Sequence, residues 1–264
     1  MSAPMTPRTI DPHAPGIPFG RELVVELRKL VGTRGPWILL GVMGVIWLIV
    51  IAVVLGVPEH PMTFGSTLNG FGITSRIFVG VLAILLVTSE WGQRAVLTTF
   101  TLEPRRERVL AAKLCAALLG ALVVFAVGVA LAALVTAMRG GSFGGADEAL
   151  RYYGIRALFD LLMAFAMATA VLNTAGAVVT YLVLPEVVVP AILFFGSVAA
   201  SDDYGRDNLF QSIGPWIYPQ ESLSVLQSAS PGAQGWAQIL VCAVIWIGLP
   251  GALGVYRVMT SEVK

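Results

Sequence analysis

The sequence predicts an all-α protein, an integral membrane bundle of six transmembrane helices with an N-terminal interfacial helix and a cytoplasmic coupling helix. Of the 264 residues, 56% are hydrophobic and only 12% are charged, whereas soluble domains carry about 25% charged residues. The hydrophobic residues form six runs of about 20, the length that crosses a bilayer as a helix. Because the formal net charge is only +1, no basic field attracts nucleic acid, and none is expected as a partner.

The amino-terminal part of the chain divides into two predicted segments. Residues 1–18 are expected to form a flexible cytoplasmic tail, because they contain five prolines and no apolar run. Residues 19–264 are expected to form one transmembrane domain, which opens with an interfacial helix over 19–34. In that helix apolar and charged side chains fall on opposite sides at helical spacing, as in helices that lie along lipid headgroups. An ordinary solvated helix is the alternative.

Six segments are predicted to span the membrane. They cover residues 36–57, 68–89, 114–138, 152–173, 175–200 and 236–256. Pro36 and Trp37 open the first, where an N1 proline and an interfacial aromatic are favoured. The fifth carries Glu186 in its middle. Insertion is still expected, because its Val, Ile, Leu and Phe residues contribute roughly −6 kcal/mol whereas one buried carboxylate costs about +3 kcal/mol.

The distribution of basic residues predicts the orientation. With both termini cytoplasmic, the inside segments and helix ends hold 12 of the 17 lysines and arginines. These twelve are Arg8, Arg21, Arg28, Lys29, Arg34, Arg94, Arg105, Arg106, Arg108, Lys113, Arg257 and Lys264. The positive-inside rule therefore predicts a multi-pass protein of the cytoplasmic membrane with both termini in the cytoplasm.

The sequence offers no residue set for chemistry on its own. It contains no H-E-x-x-H, no G-x-S-x-G and no cysteine paired with a nearby histidine. A P-loop needs a Gly-Lys pair so that the lysine reaches the nucleotide phosphates, and no lysine here follows a glycine. We therefore expect no catalytic residue, no metal ligand and no cofactor bound by this chain.

The segment between the second and third spans is the most specific region. An amphipathic stretch is followed by a turn at Glu103-Pro104 and then by a basic helix start. Its candidate residues are Glu90, Arg94, Leu97, Phe100, Glu103, Arg105, Arg106 and Arg108. The pattern predicts a stiff helix below the membrane that is joined directly to two spans. A push on this helix would reach both spans.

These residues resemble the membrane subunit of ABC-2 type transporters. The resemblance rests on Glu90 at the end of span two, a short cytoplasmic helix, Pro104-x-Arg106, and Lys113 opening span three. It extends over nearly the whole chain, including Glu26–Leu30 of the interfacial helix and the short turn at Asn173-Thr174. One departure is Ala95-Val96, where the family often has Gly-Thr.

The resemblance implies a half-transporter permease. Such a chain would pair with a second permease copy or a paralogue and with two separate ABC ATPase subunits. ATP and Mg²⁺ would bind in those partners, so this chain would not be an enzyme. The eight residues from Glu90 to Arg108 would then dock or couple to the ATPase. Alternatively, their charges anchor lipid headgroups and only set the topology.

Charges inside the predicted spans are functional candidates by default. Glu186 is the main candidate of a translocation pathway, and Asn173, just before the same span, is the second. Alternatively, Glu186 satisfies carbonyls freed by Pro185 and Pro190, in a chain that is re-entrant there. Arg76, Arg156 and Asp160 are expected at an outer depth, as a structural Arg–Asp pairing.

The expected function is export of a hydrophobic or amphipathic compound, such as a drug or a lipid-like molecule. The apolar helices with few polar groups within the membrane favour this substrate class, and membrane lipids are further partners. The alternative is a self-contained ion-coupled carrier that uses Glu186 as its proton site. An intramembrane enzyme is disfavoured by the missing sets of nucleophile and base.

Overall fold

A computed structural model of the protein describes residues 18–56, 62–92, 105–200, 209–228 and 231–260. Within these ranges all regular elements are helices. Two loops also meet at an isolated β-bridge between Thr63 and Ser142. The helices are α1 (Phe19–Gly32), α2 (Arg34–Gly56), α3 (Phe64–Gly92), α4 (Arg106–Met138), α5 (Ala146–Val171), α6 (Thr174–Val183), α7 (Val189–Ala200), α8 (Leu209–Ile217), α9 (Pro219–Ser224), α10 (Ala233–Ala243) and α11 (Leu249–Thr260).

Six helical segments are long and apolar enough to cross a membrane. Four are α2, α3, α4 and α5, and two more form where π-helical turns join α6 to α7 and α10 to α11. The predicted all-α class and the count of six are thereby confirmed for the described ranges. The chain is a multi-pass helical membrane protein.

Successive spans run in opposite directions, so the bundle has two distinct ends. At one end, called the α1 end, Arg106 at the start of α4 donates hydrogen bonds to the carbonyls of Val258 and Met259 near the end of α11. Arg257 donates to the carbonyl of Ala170 at the same end. The segment with α8 and α9 lies at the opposite end.

Several helices continue past the apolar runs that were predicted as spans. α3 ends at Gly92 rather than at 89, and α4 begins at Arg106 rather than at 114. A helix satisfies its backbone hydrogen bonds internally, so it can continue beyond the hydrocarbon layer whatever its side chains are. This extension places Glu90 and Lys113 on rigid helices at the α1 end.

α5 is the most buried span, and it forms the centre of the bundle. In the most apolar 18-residue stretch of α5, 67% of the residues are buried, whereas in that of α2 only 11% are buried. Alanines on α5 allow α11 to pass very close. A Cβ atom placed on Gly254 of α11 would lie 2.8 Å from the backbone nitrogen of Ala170 and 2.2 Å from Oγ1 of Thr169. Only glycine fits this crossing.

The α6–α7 span is one continuous helical segment, as the sequence predicted, and not the re-entrant chain that was considered as an alternative. Its two helices are joined by a π-helical turn over Leu184–Val188, in which the amide of Val189 donates to the carbonyl of Leu184. Pro185 lacks an amide hydrogen and cannot continue the α-helical pattern. The wider turn absorbs this defect, so the chain continues as a helix.

The crossing of α5 and α11 provides a test of the packing. We expect Gly254→Ala to destabilise the protein by about 1–3 kcal/mol, because the new methyl group overpacks a backbone contact. Gly251→Ala on the same helix is the control, since its Cβ would lie at an ordinary 3.7 Å from Ala166. Thermal unfolding in detergent, followed by circular dichroism, measures both. Equal melting temperatures for the two variants would contradict the proposed crossing.

Candidate functional site

Four charged side chains meet in a buried network at the α1 end, called here the end cluster. Its members are Glu26 on α1, Lys29 on α1, Glu90 on α3 and Lys113 on α4. The ammonium of Lys113 lies 3.0 Å from Oε2 of Glu26 and 3.1 Å from Oε1 of Glu90. Lys29 lies 2.6 Å from Oε1 of Glu26 and also contacts Glu90. Two positive and two negative charges therefore balance.

Burial makes this cluster energetically important. Glu26, Glu90 and Lys113 are 4%, 9% and 5% exposed. A buried charge without a partner carries a large desolvation penalty. Removal of any one of these side chains would therefore leave another buried charge without its partner. Lys113 also donates to the carbonyl of Leu86 at 3.2 Å. The cluster thus ties α1, α3 and α4 into one unit.

Glu26 was not among the predicted site residues, although its position on α1 indicates a buried partner. α1 places Leu23, Leu27 and Leu30 against the core, and Glu26 lies three residues after Leu23 and four before Leu30. At helical spacing this carboxylate falls on the apolar side of α1. A charge on that side indicates a partner on another helix, and here the partner is Lys113.

The charges of the cluster shift the pKa of Lys29, which lies on α1 outside the spans. Burial by itself lowers the pKa of this ammonium group. Hydrogen bonds and charge attraction from Glu26 and Glu90 outweigh that effect, so the pKa of Lys29 lies above its ordinary value of 10.5. Lys29 therefore stays protonated at neutral pH and holds both carboxylates.

The predicted coupling residues are only partly described by the structure. Arg94, Leu97, Phe100 and Glu103 lie outside the described residues, so the predicted coupling helix remains a prediction. Glu90 belongs to the end cluster. The other three described residues bracket the start of α4 at Arg105, Arg106 and Arg108.

Two of these arginines are engaged within the chain. A guanidinium nitrogen of Arg108 lies 3.5 Å from Oε1 of Glu22 on α1. Arg106 donates to the carbonyl of Val258 at 2.7 Å and to that of Met259 at 3.3 Å. These contacts fasten the start of α4 to α1 and to α11. A docking role of either side chain remains a prediction.

A second group of charges, the mid-span cluster, lies within the bundle. Its members are Arg76 on α3, Arg156 and Asp160 on α5, and Glu186 in the π-helical turn of the α6–α7 span. Nη2 of Arg76 lies 2.7 Å from Oε1 of Glu186, and Nε of Arg156 donates to Oδ2 of Asp160 at 2.9 Å. Nη2 of Arg156 lies 3.6 Å from the same Glu186 oxygen.

This geometry joins Glu186 to the other three, a contact that was not predicted from the sequence. All four belong to one network, and two guanidinium groups share the Glu186 carboxylate. The Arg156–Asp160 pair expected from the sequence is present, one helical turn apart on α5. The outer depth expected for Arg76, Arg156 and Asp160 stays a prediction. Formal charges in this cluster also sum to zero.

Neighbouring elements hold the mid-span cluster in place. Tyr181 donates from its hydroxyl to the carbonyl of Arg76 at 2.9 Å. Its ring reaches α3 because Gly80 has no side chain, since a Cβ there would lie 2.4 Å from the Tyr181 hydroxyl oxygen. From the opposite end of the bundle, α9 offers the carbonyl of Pro219 to Arg156 at 3.3 Å and the amide oxygen of Gln220 to Arg76 at 3.1 Å.

The second predicted pathway residue lies away from the mid-span cluster. Asn173 occupies the N-cap of α6, in the short turn that follows α5. Its side-chain oxygen accepts a hydrogen bond from the amide of Gly176 at 2.9 Å, which satisfies one free donor of the helix terminus. The structure thus gives Asn173 a capping contact, and its part in a pathway stays a prediction.

The described residues include no group of three or more His, Cys, Asp or Glu side chains placed to hold a metal ion.

No family model, curated protein or solved structure matches this chain. Its class follows from its own geometry: it is a multi-pass helical membrane protein with two charge-balanced clusters, one at an end of the bundle and one within it.

The end cluster provides a second test. We expect Lys113→Met to cost about 3–5 kcal/mol of stability, because it leaves two buried carboxylates with one cation. Arg28→Met, at an exposed position of α1, is the control and should stay within about 0.5 kcal/mol of the wild type.

A double variant separates charge balance from simple packing. Lys113→Met combined with Glu90→Gln leaves the Glu26–Lys29 pair, so its loss should be smaller than the sum of the two single losses. Unfolding in detergent measures all four variants. Additive losses would mean that the buried charges act independently.

Proposed function

We propose that this chain is the transmembrane permease subunit of an ATP-driven ABC-2 type exporter. It would move a hydrophobic or amphipathic compound across the cytoplasmic membrane, with ATP hydrolysed by separate ABC ATPase subunits. A second permease copy or a paralogue would complete the membrane part. The sequence resemblance suggests this family, and the arrangement around residues 93–104 provides the physical support.

The observation that carries the proposal is the position of the end cluster. Residues 93–104 connect Gly92, at the end of α3, with Arg105, before α4. Glu90 lies just before this segment and Lys113 lies two turns into α4, and the two side chains are ion-paired at 3.1 Å. The helices on both sides of the segment are therefore joined within one buried ion-pair network. Force that reaches the end of α3 or the start of α4 is therefore transmitted through these ion pairs to the neighbouring helices.

The same network extends beyond the two connected spans. Glu26 and Lys29 include α1 in the cluster, and Arg106 links the start of α4 to the end of α11. A partner that pushes on residues 93–104 would therefore move α1, α3, α4 and α11 together. This is the mechanical property that a chain driven by a separate ATPase requires.

An apolar groove supports the hydrophobic substrate class. It has a volume of about 590 Å³ and lies between α1, α2, α3 and α4, with Leu30, Trp37, Met43 and Trp47 among its lining residues. α2 packs loosely and exposes much of its apolar surface, so the groove opens toward the lipid. A compound dissolved in the bilayer can enter such a groove without crossing water.

The location of the basic residues supports an α1 end that faces the cytoplasm. Lys29, Arg106, Arg108, Lys113 and Arg257 all lie at this end of the bundle. The positive-inside rule favours that placement. Residues 93–104 would then face the compartment that contains ATP.

Purification from the native host tests the proposal. We expect an affinity-tagged chain to bring an ABC ATPase with it. The double variant Arg94→Ala with Phe100→Ala should reduce ATPase recovery by about tenfold or more, because an arginine and an aromatic anchor each contribute about 2 kcal/mol at an interface. Quantitative mass spectrometry of the purified complexes measures the recovery.

Arg28→Ala is the matched control, because it removes an exposed positive charge at the same end of the bundle. It should leave ATPase recovery unchanged. Equal amounts of each variant in the membrane fraction establish that insertion is intact. A wild-type preparation without any ABC ATPase would count against the proposed function.

The alternative, an ion-coupled carrier, is favoured by one observation. Glu186 is the carboxylate of the mid-span cluster whose side chain stays partly accessible, at 26% exposure against 2% for Asp160. A proton site needs such access. However, two arginines hold Glu186, so protonation would have to release both of them.

Vesicles that contain this chain alone distinguish the two functions. Under our proposal, a pH gradient without ATP drives no accumulation of an amphipathic dye such as ethidium, because the energy source is in another subunit. Accumulation that is abolished by Glu186→Gln would support the carrier instead. Protein-free vesicles give the background of passive dye uptake.

A further inference from the structure

A separate, smaller cavity lies beside the mid-span cluster. It has a volume of about 180 Å³ and is enclosed by α3, α4 and α5, with Gln220 of α9 at its edge. Aromatic side chains form much of its wall, among them Phe71, Phe125 and Tyr153. An engineered apolar cavity of about 150 Å³ binds benzene. This cavity is therefore large enough for an aromatic ring with a small substituent.

The polar part of the lining includes Asn69, Ser75 and Gln220, and its charged groups are both arginines. Arg76 and Arg156 line the cavity, whereas Glu186 and Asp160 do not. The four charges of the cluster are thus arranged with the guanidinium groups on the cavity side. The charged groups that a molecule in the cavity meets are therefore guanidinium groups and not carboxylates.

One guanidinium nitrogen of Arg156 makes an ion pair but no hydrogen bond. Nη2 of Arg156 is buried and has no hydrogen-bond acceptor among the described residues, and Oε1 of Glu186 lies beyond hydrogen-bond distance at 3.6 Å. Arg156 as a whole is 4% exposed. A buried donor without an acceptor is unfavourable. A ligand that supplies an acceptor would remove this cost once the guanidinium group turns toward the cavity, since Nη2 itself has almost no exposed surface.

Charge balance decides the kind of acceptor. The two arginines are already neutralised by Asp160 and Glu186. A ligand carboxylate would therefore add an uncompensated negative charge inside the bundle, which is strongly unfavourable. A carbonyl or amide oxygen would accept from Arg156 without changing the net charge.

The cavity adjoins two other hollow spaces. Val79, Ala121 and Val124 line both this cavity and the apolar groove. Tyr152 and Tyr153 line both this cavity and an open polar pocket of about 420 Å³ at the opposite end of the bundle. Movement of a few side chains would connect the cavity with either space, so a ligand has a route in and out.

We propose that this cavity is a binding site for a small amphipathic molecule, an aromatic or aliphatic group that carries one uncharged hydrogen-bond acceptor. The apolar part lies against the aromatic wall, and the acceptor binds Nη2 of Arg156. As a statement about binding, this inference concerns the chain alone. As a statement about the exported compound, it rests on the proposed function.

Three fluorinated probes of nearly equal size test the site by ¹⁹F NMR on the full chain in nanodiscs, with empty nanodiscs subtracted. They are 4-fluorobenzamide, 4-fluorobenzoate and 4-fluorotoluene. We expect saturable binding that is tightest for the amide and about tenfold weaker for the toluene, because the toluene lacks the acceptor. Equal affinities of amide and toluene, a preference for the benzoate, or no saturable binding would overturn the proposal.

Two variants locate the bound amide. Arg156→Lys keeps the charge balance but removes Nη2, so it should weaken amide binding about tenfold and leave toluene binding unchanged. Arg151→Lys, on the same helix and outside the cavity lining, is its control and should bind like the wild type. A similar loss in both, or in neither, would overturn the role of Arg156.

Filling the cavity gives an independent test should Arg156→Lys fail to fold. Ala157→Leu places additional side-chain volume in the cavity and should abolish amide binding. Ala126→Leu, the same change on the exposed side of α4, should not. Amide binding that survives Ala157→Leu would overturn the site. No ATPase is present in these measurements, so their outcome is separable from that of the purification experiment.

Discussion

Neutralisation of buried charge by a partner on another helix is the constraint on which this bundle depends. A charge removed from water inside a bundle is tolerated only with an opposite charge or hydrogen bonds nearby. The end cluster meets this condition with Glu26, Lys29, Glu90 and Lys113, which come from three helices. The mid-span cluster meets it with residues from α3, α5 and the α6–α7 span. The positions of the spans are therefore fixed by specific pairs as well as by apolar packing, which alone discriminates poorly between helix arrangements in lipid.

The sequence predicted the all-α class and the six spans because both depend on local composition. Twenty apolar residues identify a span whatever lies beside it. The ends of the spans were less predictable. α3 and α4 continue through charged residues, since nothing in the backbone requires a helix to stop where the lipid does. Pro185 left a re-entrant chain open as an alternative, whereas a wider turn keeps the α6–α7 span continuous.

The charge pairs could not be predicted from single-helix patterns. Lys113 and Glu26 are 87 residues apart, and no local rule connects them. Glu186 and Asn173 were both selected by the sequence, but only Glu186 joins a charge cluster. Charges that were interpreted separately, such as Arg76 and Glu186, needed the relative rotation of two helices before they could be matched. That rotation is a property of the packed bundle.

The π-helical turn over Leu184–Val188 explains how Arg76 is held from two positions. Tyr181 and Glu186 both contact this arginine, one at its carbonyl and one at its guanidinium. They are five residues apart, and in an α-helix with 3.6 residues per turn they would project about 140° from each other. A π-helical turn has more residues per turn, which brings positions separated by five toward the same side. The local widening thus lets one helix contact both the backbone carbonyl and the guanidinium group of the same arginine.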